Sequence, residues 1–194
     1  LLVKTLVDDA RPGAEPIARP PIDGFLDGYA LDRVISPRAA LEPLAALFGF
    51  DATANGGEIR FSGRAARASL ALTSDDLVED RDGKLITLTR AQESETPNEI
   101  SLSFSEGLAD YRSASVLSRR LEGGSRRQSE AELAVVMEGG PAKRLADIWL
   151  QDLWIARERA EFILRPGLAA LEIGDAVTMS IAGRERLLRV ETVT

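Results

Sequence analysis

Residues 36–61, SPRAALEPLAALFGFDATANGGEIRF, constrain the fold more than any other stretch of this chain. Ser36-Pro37 supplies a hydroxyl N-cap and then a proline at the first helical position, where a missing amide costs nothing. Ala40, Leu41, Leu44, Ala45, Leu47 and Phe48 follow at helical spacing and form one apolar face. Pro43 lies inside this run, removes one backbone hydrogen bond and predicts a kink. Gly49 predicts the stop. Residues 50–54 and 58–62 flank Asn55-Gly56-Gly57, a strong hairpin signal. Ile59 and Phe61 alternate with polar residues, so the helix is expected to cover the face they make.

The chain has 194 residues, enough for one large domain or two small ones. With 44% hydrophobic and 28% charged residues it can bury a core. No apolar run approaches the roughly 20 residues needed to cross a bilayer. Cysteine and histidine are absent. That excludes disulfides and thiolate metal sites within these residues, and removes the commonest general base and transition-metal ligand. A catalytic triad or zinc centre is therefore very hard to build. The 31 acidic residues leave carboxylate chemistry open. The formal net charge of −7 disfavours broad binding to nucleic acid or anionic membrane, while permitting a local basic patch. The opening LLVKTLVD is too short and too charged for a secretory signal. It starts at Leu1 rather than Met, so we expect a cut inside a longer polypeptide, and the strand-like residues 187–194 suggest the same at the other end.

Along the chain, residues 1–9 read as an extended strand. A proline-rich stretch with Pro12, Pro16, Pro20 and Pro21 reads as a linker. Residues 25–33 suggest a short strand, and residues 74–83 an acidic polar loop. Strands are expected at 85–90, 99–105, 113–120 and 132–137, with a turn at Gly123-Gly124. A second helix, 141–157, starts at Pro141 and carries Leu145, Ala146, Trp149, Leu150, Leu153 and Trp154 as a continuous apolar stripe. Residues 161–164, a bend at Pro166-Gly167, and a final hairpin of 176–181 with 186–193 around Ala182-Gly183 complete the chain. The expected fold class is α+β: a mostly antiparallel β-sheet or partly closed barrel with one packed helix, plus a small helix–hairpin domain. The division runs 1–21 (strand and proline-rich linker), 22–83 (small α/β domain of helix plus hairpin) and 84–194 (β-rich, barrel-like domain with helix 141–157). If strand 1–9 joins the larger unit, the small domain is an insertion.

Four groups of residues invite a functional reading. Trp149 and Trp154 would suit a partner surface, but their helical periodicity points to the core. Arg119-Arg120 and Arg126-Arg127, with Arg112 nearby, flank the Gly123-Gly124 turn; the choice is between an anion or subunit contact at a hairpin tip and a solvated turn. Without interleaved aromatics, nucleic-acid binding has weak support. Asp75, Asp76, Glu79, Asp80 and Asp82 lack calcium-loop spacing and read as a polar connection. Gly174-Asp175 reads as a turn into a strand.

Five segments, at 22–33, 36–52, 88–104, 110–120 and 170–179, carry a resemblance: IDGFLDGYALDR, SPRAALEPLAALFGFDA, LTRAQESETPNEISLSF, DYRSASVLSRR and ALEIGDAVTM. In this order they are similar to the phage-tail domain of gene transfer agent host-specificity proteins, which belong with the tail-hub and tail-tip proteins of long-tailed phages. The resemblance covers about residues 22–194. It implies a structural hub module at the tail tip or baseplate of a phage-like particle, made in the bacterial cytoplasm and acting in tail assembly and in host attachment or DNA delivery. It implies self-association in a ring, usually a trimer, with neighbouring tail-tube and baseplate proteins as partners. Contact with a cell-surface glycan would come through other regions of the full chain. The family offers no catalytic, cofactor-binding or metal residues to carry over, so no enzyme activity and no cofactor are expected. Specific nucleic-acid binding and a membrane span are not expected either. The alternative is a carbohydrate-binding or carbohydrate-active cell-wall domain of a tail protein. It needs an exposed aromatic platform or a close carboxylate pair in a cleft, and both tryptophans lie on the expected core stripe. An unrelated cytoplasmic scaffold is a third reading.

Overall fold

The computed structural model describes residues 2–12, 17, 26–31, 34–55, 58–63, 68–168 and 170–193. In chain order it has helix α1 (Leu2–Asp9), strand β1 (Gly28–Tyr29), helix α2 (Pro37–Phe48), and strands β2 (Phe50–Asn55), β3 (Glu58–Gly63), β4 (Leu70–Leu72), β5 (Leu77–Val78) and β6 (Thr87–Arg90). Strands β7 (Glu99–Glu106), β8 (Arg112–Arg119) and β9 (Gln128–Met137) lead to helix α3 (Gly139–Ile155). Strands β10 (Glu158–Glu161), β11 (Ile163–Leu164), β12 (Ala176–Ile181) and β13 (Arg184–Arg189) end the chain. The fold is α+β, with mostly antiparallel and mixed sheets. Among the described residues no sheet closes into a barrel, so the partly closed barrel gives way to open sheets.

Contacts group the chain into two compact units. One holds Leu1–Asp23, Ile35–Thr87 and Glu161–Thr194; the other holds Gly24–Val34 and Leu88–Ala160. These groupings run across the sequential division into 1–21, 22–83 and 84–194.

In the first unit the expected strand at 1–9 is instead helix α1. Leu2, Val3, Leu6 and Val7 form adjacent apolar pairs four residues apart, a helical spacing that a strand would split between two faces. Val3 and Val7 are buried, and α1 packs on α2. Lys4 Nζ donates to Asp8 Oδ2 at 2.5 Å, a pairing one helical turn apart. Helix α2 has the expected caps. The Ser36 hydroxyl oxygen accepts from the Ala39 amide, and Gly49, left-handed at φ 62°, donates its amide to Ala45 O. The helix continues through Pro43. Leu44 and Phe50 are both 0% exposed, and the Phe50 and Phe61 rings meet edge-on at 5.8 Å. Strands β2 and β3 pair from Phe50↔Gly63 to Asn55↔Glu58. The turn at 56–57, like Pro16, Pro20, Pro21 and Phe25, lies outside the described residues.

A second apolar cluster in this unit joins Leu72, Leu77, Val177 and Met179, with Phe162, Leu164 and Leu188 packed alongside. Strand β12 pairs antiparallel with β13, as the terminal hairpin requires, and parallel with β4. Ala182 and Gly183, at φ 51° and 75°, turn the chain between them.

The other unit is built on β7. The sheet order is β1-β9-β7-β8, with β8 antiparallel and β9 parallel to β7. Along β7, buried Ile100, Leu102 and Phe104 alternate with the more exposed Ser101, Ser103 and Ser105. That period of two gives the sheet one apolar face, and α3 packs on β7 and β8 through buried Ala142, Leu145, Ala146 and Leu150.

Leu44→Ala should cost about 2–5 kcal/mol of unfolding free energy, because it removes a fully enclosed side chain. Leu108→Ala, at a residue 82% exposed, should stay within about 0.5 kcal/mol of the parent. Urea denaturation measures both.

Candidate functional site

The strand order places the arginine-flanked turn somewhere other than a hairpin tip. Glu99, at the start of β7, is opposite Arg119 on one side and Gln128 on the other. The chain between β8 and β9 therefore crosses over the first residues of β7. Two backbone bonds hold it there: Arg120 N–H donates to Asn98 O at 2.9 Å, and Asn98 N–H donates to Arg127 O at 2.8 Å.

Trp154, in the last turn of α3, supports this crossing. Its Nε1–H donates to Pro97 O at 2.8 Å. The Arg120 and Arg157 guanidinium carbons lie 4.2 and 4.7 Å from the indole centroid, within cation–π range. Gly123, at φ 127°, passes so close that a Cβ would stand 2.8 Å from Glu93 Oε1 and 3.2 Å from Trp154 Cη2. Glu93 Oε1 accepts the next amide, Gly124 N–H, at 3.0 Å. Trp154 also lines an open cleft of about 570 Å³ with Arg90, Glu93, Glu122, Gln151 and Glu158. It is thus a half-buried residue at a cleft rather than a member of the core stripe. Trp149 is half-buried too, and Leu153 is 40% exposed, so the buried stripe is Ala142, Leu145, Ala146 and Leu150. Sequence reasoning did not find Pro97, Glu93 or Arg157. Only Arg157, three residues beyond Trp154, had a local signal.

The acidic segment has structural work. Asp76 Oδ2 accepts from Thr73 N–H and Oγ1–H, both at 2.8 Å, and these bonds lower its pKa. Asp80 Oδ1 accepts from the Asp82 and Lys84 amides. Asp175 Oδ2 accepts from Glu172 N–H at 2.9 Å, at the expected turn. Among the described residues no three acidic side chains stand close enough to share a metal ion, and no helix is long and apolar enough to cross a membrane. One further carboxylate ties α3 to the sheet: Asp147 accepts from Ser118 Oγ–H at 2.6 Å and pairs with Lys143.

A family model described as "Putative phage tail protein" matches residues 36–193. The chain belongs to this phage tail protein family. A search among curated proteins gave no match. Of solved structures, this tail protein is similar to a chain in the virion of a native gene transfer agent particle, with a TM-score of 0.88 and 24% identity over 100% of this chain and 44% of that one. It is also similar to the 43 kDa tail protein of prophage MuSo2 from Shewanella oneidensis, at TM-score 0.55 and 15% identity over 82% of this chain and 50% of that one. The tail protein from Neisseria meningitidis MC58 gives 0.60 and 11% over 84% and 51%. At these identities the likeness is one of fold, and the chain spans about half the length of each.

Gly123→Ala should destabilise the tail protein by about 1–3 kcal/mol and shift its tryptophan fluorescence, because the backbone is strained for an L-residue and the new methyl meets Trp154. Asp147 has a pKa lowered by the Lys143 and then the Ser118 hydrogen bonds. Its contribution to stability is complete above the ordinary value of 3.8 and is lost as pH falls through the lowered folded value. Asp147→Asn should therefore flatten the acid limb of a stability-against-pH curve and leave its slope near neutrality unchanged.

Proposed function

We propose that this tail protein is a structural module of the tail-tip or baseplate hub of a phage-like particle, working through assembly rather than chemistry. The observation that carries the reading is the likeness in fold over the whole chain to a chain in a gene transfer agent virion, joined to membership of a phage tail family. Copies of the module associate in a ring, which we take to be a trimer, and contact neighbouring tail-tube and baseplate proteins. Open sheets suit this role, since edge strands and exposed faces are where further chains add. The module acts in tail assembly and in host attachment or DNA delivery, with any cell-surface glycan contact assigned to other regions of the full chain. A ring with an acidic inner wall would repel DNA and let it pass without sticking, a use for the net charge of −7.

A carbohydrate-binding role is the second reading, favoured by one observation: Trp154 lines a cleft together with carboxylate, amide and guanidinium groups. It stands second because two guanidinium groups already lie against the indole ring.

Immuno-electron microscopy of purified particles, with antibody raised to this chain, tests the assignment. Label at the tail tip is expected. Intact, accessible particles without label, with antigen confined to the soluble cell fraction, would sink it.

A further inference from the structure

The crossing between β8 and β9 encloses a second, smaller cleft of about 180 Å³ on its own flank. Its lining includes Asn98, Glu99, Arg119, Ser125, Arg126 and Arg127, three arginines and one glutamate in a chain whose net charge is −7. The single carboxylate is weakly engaged, Arg119 Nε standing 3.8 Å from Glu99 Oε2. The Arg126 and Arg127 guanidinium groups make no ion pair or hydrogen bond with any described residue. Three arginines lining one cleft with a single glutamate leave a net positive charge there, and that favours an incoming anion.

Two further groups point to a ligand. Ser125 is only 4% exposed, an unusual place for a hydroxyl in a turn. Its Oγ accepts from Arg127 N–H at 3.2 Å, and its own proton goes to no described residue. Asn98 Oδ1 is buried without a donor. With the carboxamide turned over, Asn98 offers an N–H instead. Hydroxyl, carboxamide and guanidinium forks together make a donor set fitted to a planar carboxylate, which arginine grips with two parallel bonds. The backbone that carries them is held by the bonds of Asn98 to both Arg120 and Arg127, so little ordering is left to pay on binding.

We propose that this cleft is a carboxylate-binding site that takes a Glu or Asp side chain from an acidic segment of a neighbouring protein chain. The proposal rests on the assembly role given above, and it concerns one surface of that role. The net acidity of the chain and the absence of an aromatic from this cleft favour an acidic polypeptide over nucleic acid, whose single strands are gripped by stacking as well as by charge.

The test uses the 194-residue chain in solution, apart from any particle, so its failure would leave the tail-tip assignment standing. Fluorescence anisotropy is measured with three labelled probes of about 12 units each, long enough to span an interface of this kind: a Glu/Thr peptide, its Lys/Thr counterpart and oligothymidylate. The Glu/Thr peptide should bind and the other two should bind at least about tenfold more weakly. The paired change Arg126→Ala with Arg127→Ala should weaken the peptide at least about tenfold, while Arg112→Ala, at the far end of β8, should change it less than about twofold. Near-ultraviolet dichroism of Trp154 confirms that each variant is folded, and Ser125→Ala gives a second, milder probe of the cleft. No binding of the Glu/Thr peptide would overturn the proposal. So would oligothymidylate binding as tightly, or Arg112→Ala costing as much as the paired change, since either would mean undirected attraction between charges.

Discussion

The start of β7 is the point on which the second unit turns. Asn98 is bonded through its amide to the chain entering β9 and through its carbonyl to the chain leaving β8. Those two bonds let one short crossing pass over the end of a strand that has an antiparallel neighbour on one side and a parallel neighbour on the other. If the crossing were loose, the register of β9 would be set only by its own ladder, which already slips at the bulge between Ser103 and Ser105. Trp154 strengthens the same point, since its indole N–H caps the Pro97 carbonyl beside it. A buried or half-buried carbonyl left without that donor would cost about 1–3 kcal/mol.

The charged groups around Trp154 show why that helix end is fixed rather than frayed. A single exposed cation–π contact contributes only about 0.5–1 kcal/mol. Here two guanidinium groups from different parts of the chain use one ring, and one of them, Arg120, also donates through Nε to Glu122 O. The contacts therefore join three segments: the end of α3, the crossing and the chain before β7. Glu93 ties the last two of these together again through the Gly124 amide. None of these is large alone. Together they hold a turn rich in glycine and arginine that would otherwise keep much of its conformational freedom.

Much of this was legible along the chain wherever neighbours in sequence are also neighbours in space. The caps of α2, the terminal hairpin and the apolar side of α3 all follow from spacings of a few residues. Helix α1 was missed because eight residues are too few for alternation and helical periodicity to separate clearly. The pairs Leu2-Val3 and Leu6-Val7 held the answer, and Lys4 with Asp8 repeated it. The crossing was misread as a hairpin because β8 and β9 are consecutive strands joined through glycines. Nothing local shows that β7 lies between them; that is a long-range fact about pairing. Trp154 was misplaced for a related reason. Periodicity identifies a face but not where the partner sheet ends, and Trp154 stands beyond that end. Its partners Pro97 and Arg120 are distant in sequence, so no spacing could have named them.

The carboxylates bear on what kind of work such a chain does. Thirty-one acidic residues leave acid–base chemistry open on composition alone. A general acid working near neutrality needs a carboxyl pKa pushed up, by burial or by a like charge close by. Among the described residues, three carboxyl groups are moved the other way. Asp8 is lowered by Lys4 and the Ile17 amide, Asp76 by Thr73, and Asp147 by Lys143 and Ser118. Each is held as an ionised acceptor that closes a helix turn, a tight bend or a helix–sheet contact. Asp80 and Asp175 accept backbone amides in turns as well. Asp76, Asp80 and Asp175 serve the backbone and Asp147 serves a helix–sheet contact, while the Arg126 and Arg127 guanidinium groups, at the crossing, have no partner among the described residues. Acceptors matched to nearby donors leave those carboxylates little further capacity, whereas an arginine fork without a partner keeps its donors available to an incoming acceptor.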